Sequence, residues 1–312
     1  MMIIEKISLD ETKPELTLTT YLLEDSQELL NGKNRPAVII CPGGAYLYCS
    51  DREAEAVALR FAAMGYHAFV LRYQVLSDGR GEGRARDFDF SQLSQISLED
   101  REEDIFPAQM RNIAQAFTII HQRAEEWLVD TDKLILCGFS AGGNSVTNYA
   151  VHWNKPVLTQ DFDVAVLKPA AVIAGYPITD YLSHQAYVDQ QEDWMKGLFK
   201  LSNLAFFGAE KPSDQQLLAA SASRLIDEAT PPMFIWATAG DQLVHVSQST
   251  RLATALAEKG IPFELHIFEE GEHGLALGTQ ATASKSSHLN SDVSKWIDLA
   301  EAWLEKRFSL DI

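Results

Sequence analysis

Between residues 3 and 30 apolar and polar side chains alternate loosely, as in "ELTLTTYLL", and the turn-forming run "NGKNRP" follows. A period of two suits half-buried strands, so this stretch predicts an antiparallel strand pair at a sheet edge. The pattern then changes. "AVIIC" (37–41) is a continuous apolar run, as expected for a strand covered on both faces. "SDREAEAVALRFAAMG" (50–65) reads as a helix. Ser50 and Glu53 have capping-box spacing, Ala54, Val57, Ala58 and Phe61 share a face, and Gly65 ends it. "HAFVLRY" (67–73) is a strand, a helix resumes near Phe106, and "KLILCGF" (133–139) is again a strand with a helix from 141. "AAVIAGY" (170–176), "PMFIWATAG" (232–240) and "PFELHIFEE" (262–270) complete the strands. Helices over 245–259 and 292–307 follow the last two.

Strands alternating with helices imply an α/β protein whose mainly parallel central sheet is covered by helices on both faces. Two stretches break the rhythm. Residues 77–104 are polar and charged, with three glycines, and read as an inserted loop: a mobile flap or a homo-oligomer contact. Residues 180–230 are helical and irregular, with scattered aromatics, and read as a small cap. The expectation is one domain over 1–312 carrying both insertions.

Composition narrows the class. A 46% hydrophobic fraction with 10% aromatics is ample for a large core. The net charge of −18, from 44 acids against 26 bases, repels nucleic acid and anionic lipid, so a small molecule is the expected partner. The cysteines, Cys41, Cys49 and Cys137, are odd in number and match no zinc spacing, which suits a reducing cytoplasm. "MMIIEKISLDETKPE" has no basic start followed by an apolar run, and no apolar stretch approaches the roughly 20 residues of a membrane span. A cytoplasmic protein is expected.

The candidate chemistry sits where strands end, which is where ligands bind in such sheets. Gly138-Phe139-Ser140-Ala141-Gly142 is a G-x-S-x-G match between a strand and a helix. A sharp turn there lifts Ser140 above the sheet, although a plain N-cap serine has the same local signature. Serine needs a base, and the base an orienting acid. Asp241 in "AGDQLV" and His273 in "EGEHGL" follow later strands, in the order serine, acid, histidine. Asp180 is the rival acid, while His245 and His266 fall in a helix start and within a strand. "CPGGAY" (41–46) follows the strand 37–41 and could be a plain Pro-Gly turn. It could also supply the Gly44 and Ala45 N–H groups, with that of Ala141, as donors to a tetrahedral oxyanion. Tyr46 adjoins that turn and Phe139 adjoins the serine, so both are candidates to line a narrow acyl pocket. No H-E-x-x-H or ligand cluster calls for a metal.

"CPGGAY", "GFSAGG", "AGDQLV" and "EGEHGLALG" together resemble the bacterial α/β-hydrolase carboxylesterases related to the hormone-sensitive-lipase group, in the acetyl-esterase and feruloyl-esterase-like branch. The similarity runs over roughly 36–307. Pro42 stands where that group has the histidine of HGGG, and Ala45 where it has the third glycine. The resemblance implies a serine carboxylesterase of short acyl, acetyl-type esters, including those of acetylated sugars, working through an acyl-enzyme without a cofactor. A glycosidase would need two facing carboxylates, and no pair stands out. A serine peptidase or a non-catalytic small-molecule receptor could be built on the same fold.

Overall fold

The computed structural model describes residues 1–29, 32–76, 84, 85 and 101–308. The apolar runs become strands. In chain order these are β1 (Met2–Ile3), β2 (Lys6–Ser8), β3 (Thr17–Leu23), β4 (Arg35–Cys41), β5 (His67–Arg72), β6 (Val129–Phe139), β7 (Ala171–Gly175), β8 (Met233–Thr238) and β9 (Phe263–Phe268). Among the described residues they form one sheet in the order β1-β3-β5-β4-β6-β7-β8-β9, with β2 also on β3. From β5 to β9 all neighbours are parallel. The chain's start is antiparallel: β1 and β2 pair with β3, and β3 with β5.

The helices are α1 (Glu55–Ala63), α2 (Ala108–Gln122), α3 (Ala124–Trp127), α4 (Ala141–His152), α5 (Pro156–Thr159), α6 (Tyr181–Val188), α7 (Asp193–Phe207), α8 (Asp214–Ala219), α9 (Ser247–Glu258) and α10 (Trp296–Phe308). All seven residues of β4 are buried, because helices cover both sides of the sheet. Its side chains alternate between two cores. Ala37, Ile39 and Cys41 join α2, α4 and α9 residues such as Phe117, Tyr149 and Leu252. Val38 and Ile40 join Phe61 of α1 and Trp303 of α10. The irregular 180–230 stretch holds α6, α7 and α8. Most of the inserted loop 77–104 lies outside the described residues.

The helix expected from residue 50 divides. A short 3-10 turn, Asp51–Glu53, precedes α1, and Ser50 makes no side-chain cap. The capping box fails because the Glu53 carboxylate is drawn inward to other donors.

The register explains where a site can form. Cys41 pairs with Gly138, Phe139 with Gly175, and Gly175 with Trp236. The carboxyl ends of β4, β6, β7 and β8 therefore lie side by side, with the loop after β9 beyond them. Segments far apart in the sequence meet there.

Candidate active site

Ser140 occupies the single position between β6 and α4, with φ +52° and ψ −116°. A β-carbon is strained in this region, at about 1–3 kcal/mol, and the conformation persists only where the surroundings enforce it. They do so by close approach. A methyl group on Gly142 would lie 2.0 Å from the Cys41 carbonyl oxygen, and one on Gly43 would lie 2.8 Å from Ser140 Cβ. The Ser140 N–H also donates to the Gly175 carbonyl at 3.0 Å, which ties the turn to the end of β7.

From Ser140 a line of hydrogen bonds runs inward. Its Oγ is 2.7 Å from His273 Nε2. His273 Nδ1 is 2.6 Å from Asp241 Oδ2. The other Asp241 oxygen accepts the N–H groups of Leu243 at 2.9 Å and Val244 at 3.0 Å. A carboxylate held by two amides of its own loop presents its free oxygen at a fixed angle, which sets the imidazole with its proton on Nδ1 and a lone pair toward the serine. Burial alone would push the His273 pKa down. The charge and hydrogen bond of Asp241, with a smaller contribution from Glu53, outweigh it and hold the imidazole above the ordinary histidine value.

The rival acid is used elsewhere. Asp180 caps α6 by accepting the Ser183 N–H, and it pairs with Arg224 at 2.9 Å. His245 bonds Ser247, and His266 lies beside Glu264 within β9.

After β4 the chain makes a left-handed turn, with φ +131° at Gly44, +55° at Ala45 and +61° at Tyr46. The Leu47 N–H closes it onto the Gly44 carbonyl at 2.9 Å. Gly44 and Ala45 line a cavity of about 280 Å³ together with Ser140 and His273. Among the described residues no acceptor engages the N–H groups of Gly44, Ala45 or Ala141. Ala141 opens α4, whose dipole favours negative charge at that end.

Two expected pocket residues are elsewhere. Phe139 is fully buried beneath the turn, edge-on to Trp236 and Trp296. Alternation sends it into the core opposite α4, because Ile135, Cys137 and Phe139 share one face of β6. Tyr46 is 1% exposed, and its hydroxyl donates to Asn144 Oδ1 at 2.6 Å, while its ring stacks on Phe206 of α7. It anchors the turn from behind. The cavity wall is instead built by Leu47, Tyr48, Leu198 of α7 and Leu243.

Two residues not expected at the site also meet there: Glu53, whose spacing from Ser50 predicts a capping box, and Tyr176. Glu53 Oε2 accepts the Gly43 N–H at 2.7 Å, and its Oε1 accepts the Tyr176 hydroxyl at 2.6 Å. The sequence signal at Glu53 was its spacing from Ser50, which fits a capping box. Two larger clefts, of about 540 and 470 Å³, open elsewhere, and neither brings a serine and a histidine together among the described residues lining it. Among the described residues no group of three histidine, cysteine or carboxylate side chains could hold a metal ion.

The family model BD-FAE matches residues 93–256, just over half of the chain. The chain belongs to the BD-FAE family. Its fold is that of the α/β-hydrolases. It is similar to the carboxylesterase Cest-2923 of Lactobacillus plantarum WCFS1, with TM-score 0.76 and 26% identity over 98% of both chains. It is also similar to an acetyl ester-xyloside bifunctional hydrolase of Caldicellulosiruptor lactoaceticus, with TM-score 0.72 and 25% identity over 97% of this chain and 96% of that one. A curated relative, endo-1,4-beta-xylanase B of Butyrivibrio fibrisolvens, is 31% identical over 248 residues, 78% of this chain and 33% of that protein. The chain spans about a third of the length of the curated relatives it matches. No helix among the described residues is long and apolar enough to cross a membrane.

Proposed function

We propose that this BD-FAE member is a serine carboxylesterase acting on short acyl esters, with acetyl esters of sugars the foremost candidates. The observation that carries the reading is the line Ser140–His273–Asp241, at 2.7 and 2.6 Å, opening on a cavity beside unoccupied backbone donors. His273 takes the Ser140 proton as Oγ attacks the ester carbonyl. The N–H groups of Gly44, Ala45 and Ala141 stabilise the oxyanion. Protonated His273 then gives its proton to the departing alcohol, leaving an acyl-Ser140. Water, activated by the same imidazole, releases the acid and restores the serine. None of these steps requires a cofactor.

The short-acyl preference rests on size. A cavity of about 280 Å³ walled by Leu47, Leu198 and Leu243 lies below the range of about 300–1,000 Å³ common for small-molecule sites. The acetyl and xyloside substrates in the name of the Caldicellulosiruptor relative support the sugar-ester candidate. The xylanase named above does not extend to a glycosidase reading. Such chemistry needs two carboxylates across the bond, and Glu53 is the one carboxylate among the described residues lining the cavity.

The test is hydrolysis of p-nitrophenyl esters of two to twelve carbons by the wild type and Ser140→Ala. Activity should be highest at two to four carbons, and the variant should lose about 10⁴–10⁶-fold. A wild type without turnover, or a variant that keeps it, overturns the esterase reading. A maximum at eight carbons or more overturns the short-acyl preference alone.

A further inference from the structure

Glu53 is 4% exposed, yet it does not cap its helix and forms no ion pair among the described residues. Its two oxygens each accept from a different segment: the Gly43 N–H of the turn after β4, and the hydroxyl of Tyr176, the residue after β7. The Tyr176 oxygen in turn accepts the Ala276 N–H at 3.1 Å, so its own proton is free to face the carboxylate. Two donors on two oxygens suit an ionised carboxylate. The Tyr176 ring also stands edge-on to the His273 imidazole, with centroids 4.9 Å apart. Glu53 and Tyr176 together thus join the turn carrying Gly44 and Ala45 to the loop carrying His273.

The backbone shows what this junction holds. Among the described residues six non-glycine positions have positive φ. Five of them, Ala45, Tyr46, Ser140, Tyr176 and Ala276, lie on the segments that meet here. Such conformations relax unless neighbours over-determine them.

We infer that Glu53 is a positioning residue of the active site: with Tyr176 it locks the oxyanion turn and the His273 loop in register. This rests on the esterase reading. Its charge also favours the imidazolium that forms when Ser140 loses its proton. The groups facing His273 are Asp241 from the loop after β8, Tyr176 from the end of β7, and Glu53 with Arg52 in the cavity wall. On the α6 side His184 faces it, and burial keeps that ring neutral with a pKa of about 3. Asp241 and Glu53 are therefore the negative charges in this set.

The experiment compares Glu53→Gln, Glu53→Asp and Tyr176→Phe on p-nitrophenyl acetate, with an NMR titration of His273 in the Ser140→Ala background. A misplacement of about 1 Å lowers rate by on the order of 10²-fold, so E53Q should lose kcat on that scale while KM changes far less. The acid limb of kcat/KM and the His273 titration should both move to lower pH. E53D keeps the charge but is one methylene short, so it should restore the titration while kcat stays low. Y176F should lower kcat, and the E53Q/Y176F double variant should fall no further than E53Q, because both act through one link. Wild-type kcat and titration in E53Q overturn the inference. So does a rate loss that follows melting temperature with the titration unmoved. If E53Q does not fold, the kcat-against-KM split of E53D and Y176F decides the matter: a loss of kcat with KM and melting temperature little changed supports the inference, and wild-type kcat in both overturns it. An inactive wild type would overturn the esterase reading, and the titration would still decide this one.

Discussion

Asp241 divides its two oxygens between structure and chemistry. Oδ1 holds the Leu243 and Val244 amides, and Oδ2 holds His273. Asp241→Asn should therefore fold but present an amide to the imidazole, favouring the wrong tautomer. In the serine-protease triad this change lowers kcat by about 10⁴-fold, and a loss of that order is expected. The wild-type pH profile follows from the raised His273 pKa. Only the neutral imidazole is a base, so kcat/KM should rise with pH through a limb lying above the ordinary histidine value. Asp180→Asn should leave that limb in place, since Asp180 is engaged by Ser183 and Arg224. A profile in which D180N is the more damaged variant would contradict the assignment.

At the scale of elements, the junction of β6 and α4 depends on how near α4 can come to the end of β4. The Gly142 Cα leaves no room for a β-carbon against the backbone carbonyls of Cys41 and Pro42, at 2.0 and 2.5 Å. These are main-chain atoms of a fully buried strand end and cannot swing aside. Gly142→Ala should push the first turn of α4 outward and carry the Ala141 N–H and Ser140 with it. Overpacking of this kind costs about 1–3 kcal/mol, and the lost oxyanion geometry should be larger in rate than in stability. Gly197→Ala is the natural control, because the space around that helical glycine of α7 is open, and alanine there should stabilise by up to about 1 kcal/mol. Thermal melts and kcat of the two variants check the pair.

Across the whole molecule, buried neutral histidines contribute to the response to acid. Among the described residues His184 has no partner on either ring nitrogen, and it is buried between Tyr181 and Phe199; His67 opens β5, and its Nδ1 accepts the Leu23 N–H at the end of β3. Burial pushes their pKa values to about 3 and about 4. Both values lie below that of an unfolded histidine, so the unfolded chain binds protons that the native one does not. Their contribution is present above about pH 6.5 and is lost as pH falls from there toward the folded values. Stability should decline over that window. His184→Phe removes both the titration and two unpaired nitrogens while keeping a flat ring against Phe199. It should raise Tm more at pH 5 than at pH 8. Equal changes at both pH values would mean that the titration of His184 does not contribute.

Local pattern determined much of this protein. Apolar runs such as 37–41 and 133–139 are buried on both faces wherever the sheet lies, so they read as strands without knowledge of their neighbours. Ser140, Asp241 and His273 were legible as candidates because each follows such a run, and a parallel sheet gathers strand ends on one side. What needed the tertiary structure was every choice between residues with equal local signatures. Glu53 had the spacing of a cap, but Gly43 and Tyr176, 10 and 123 residues away, offered it better-buried donors. Tyr46 adjoins the turn after β4 in sequence, yet Asn144 and Phe206 draw it behind that turn. Asp180 and Asp241 both lie on strand-to-helix loops, and only the packing of the His273 loop against β8 separates them. The cavity wall came from Leu198, on a helix with no sequence link to the serine. Periodicity reports a side chain's face within its own element. Which donor, ring or charge waits opposite that face depends on strand order, and strand order is a property of the folded sheet.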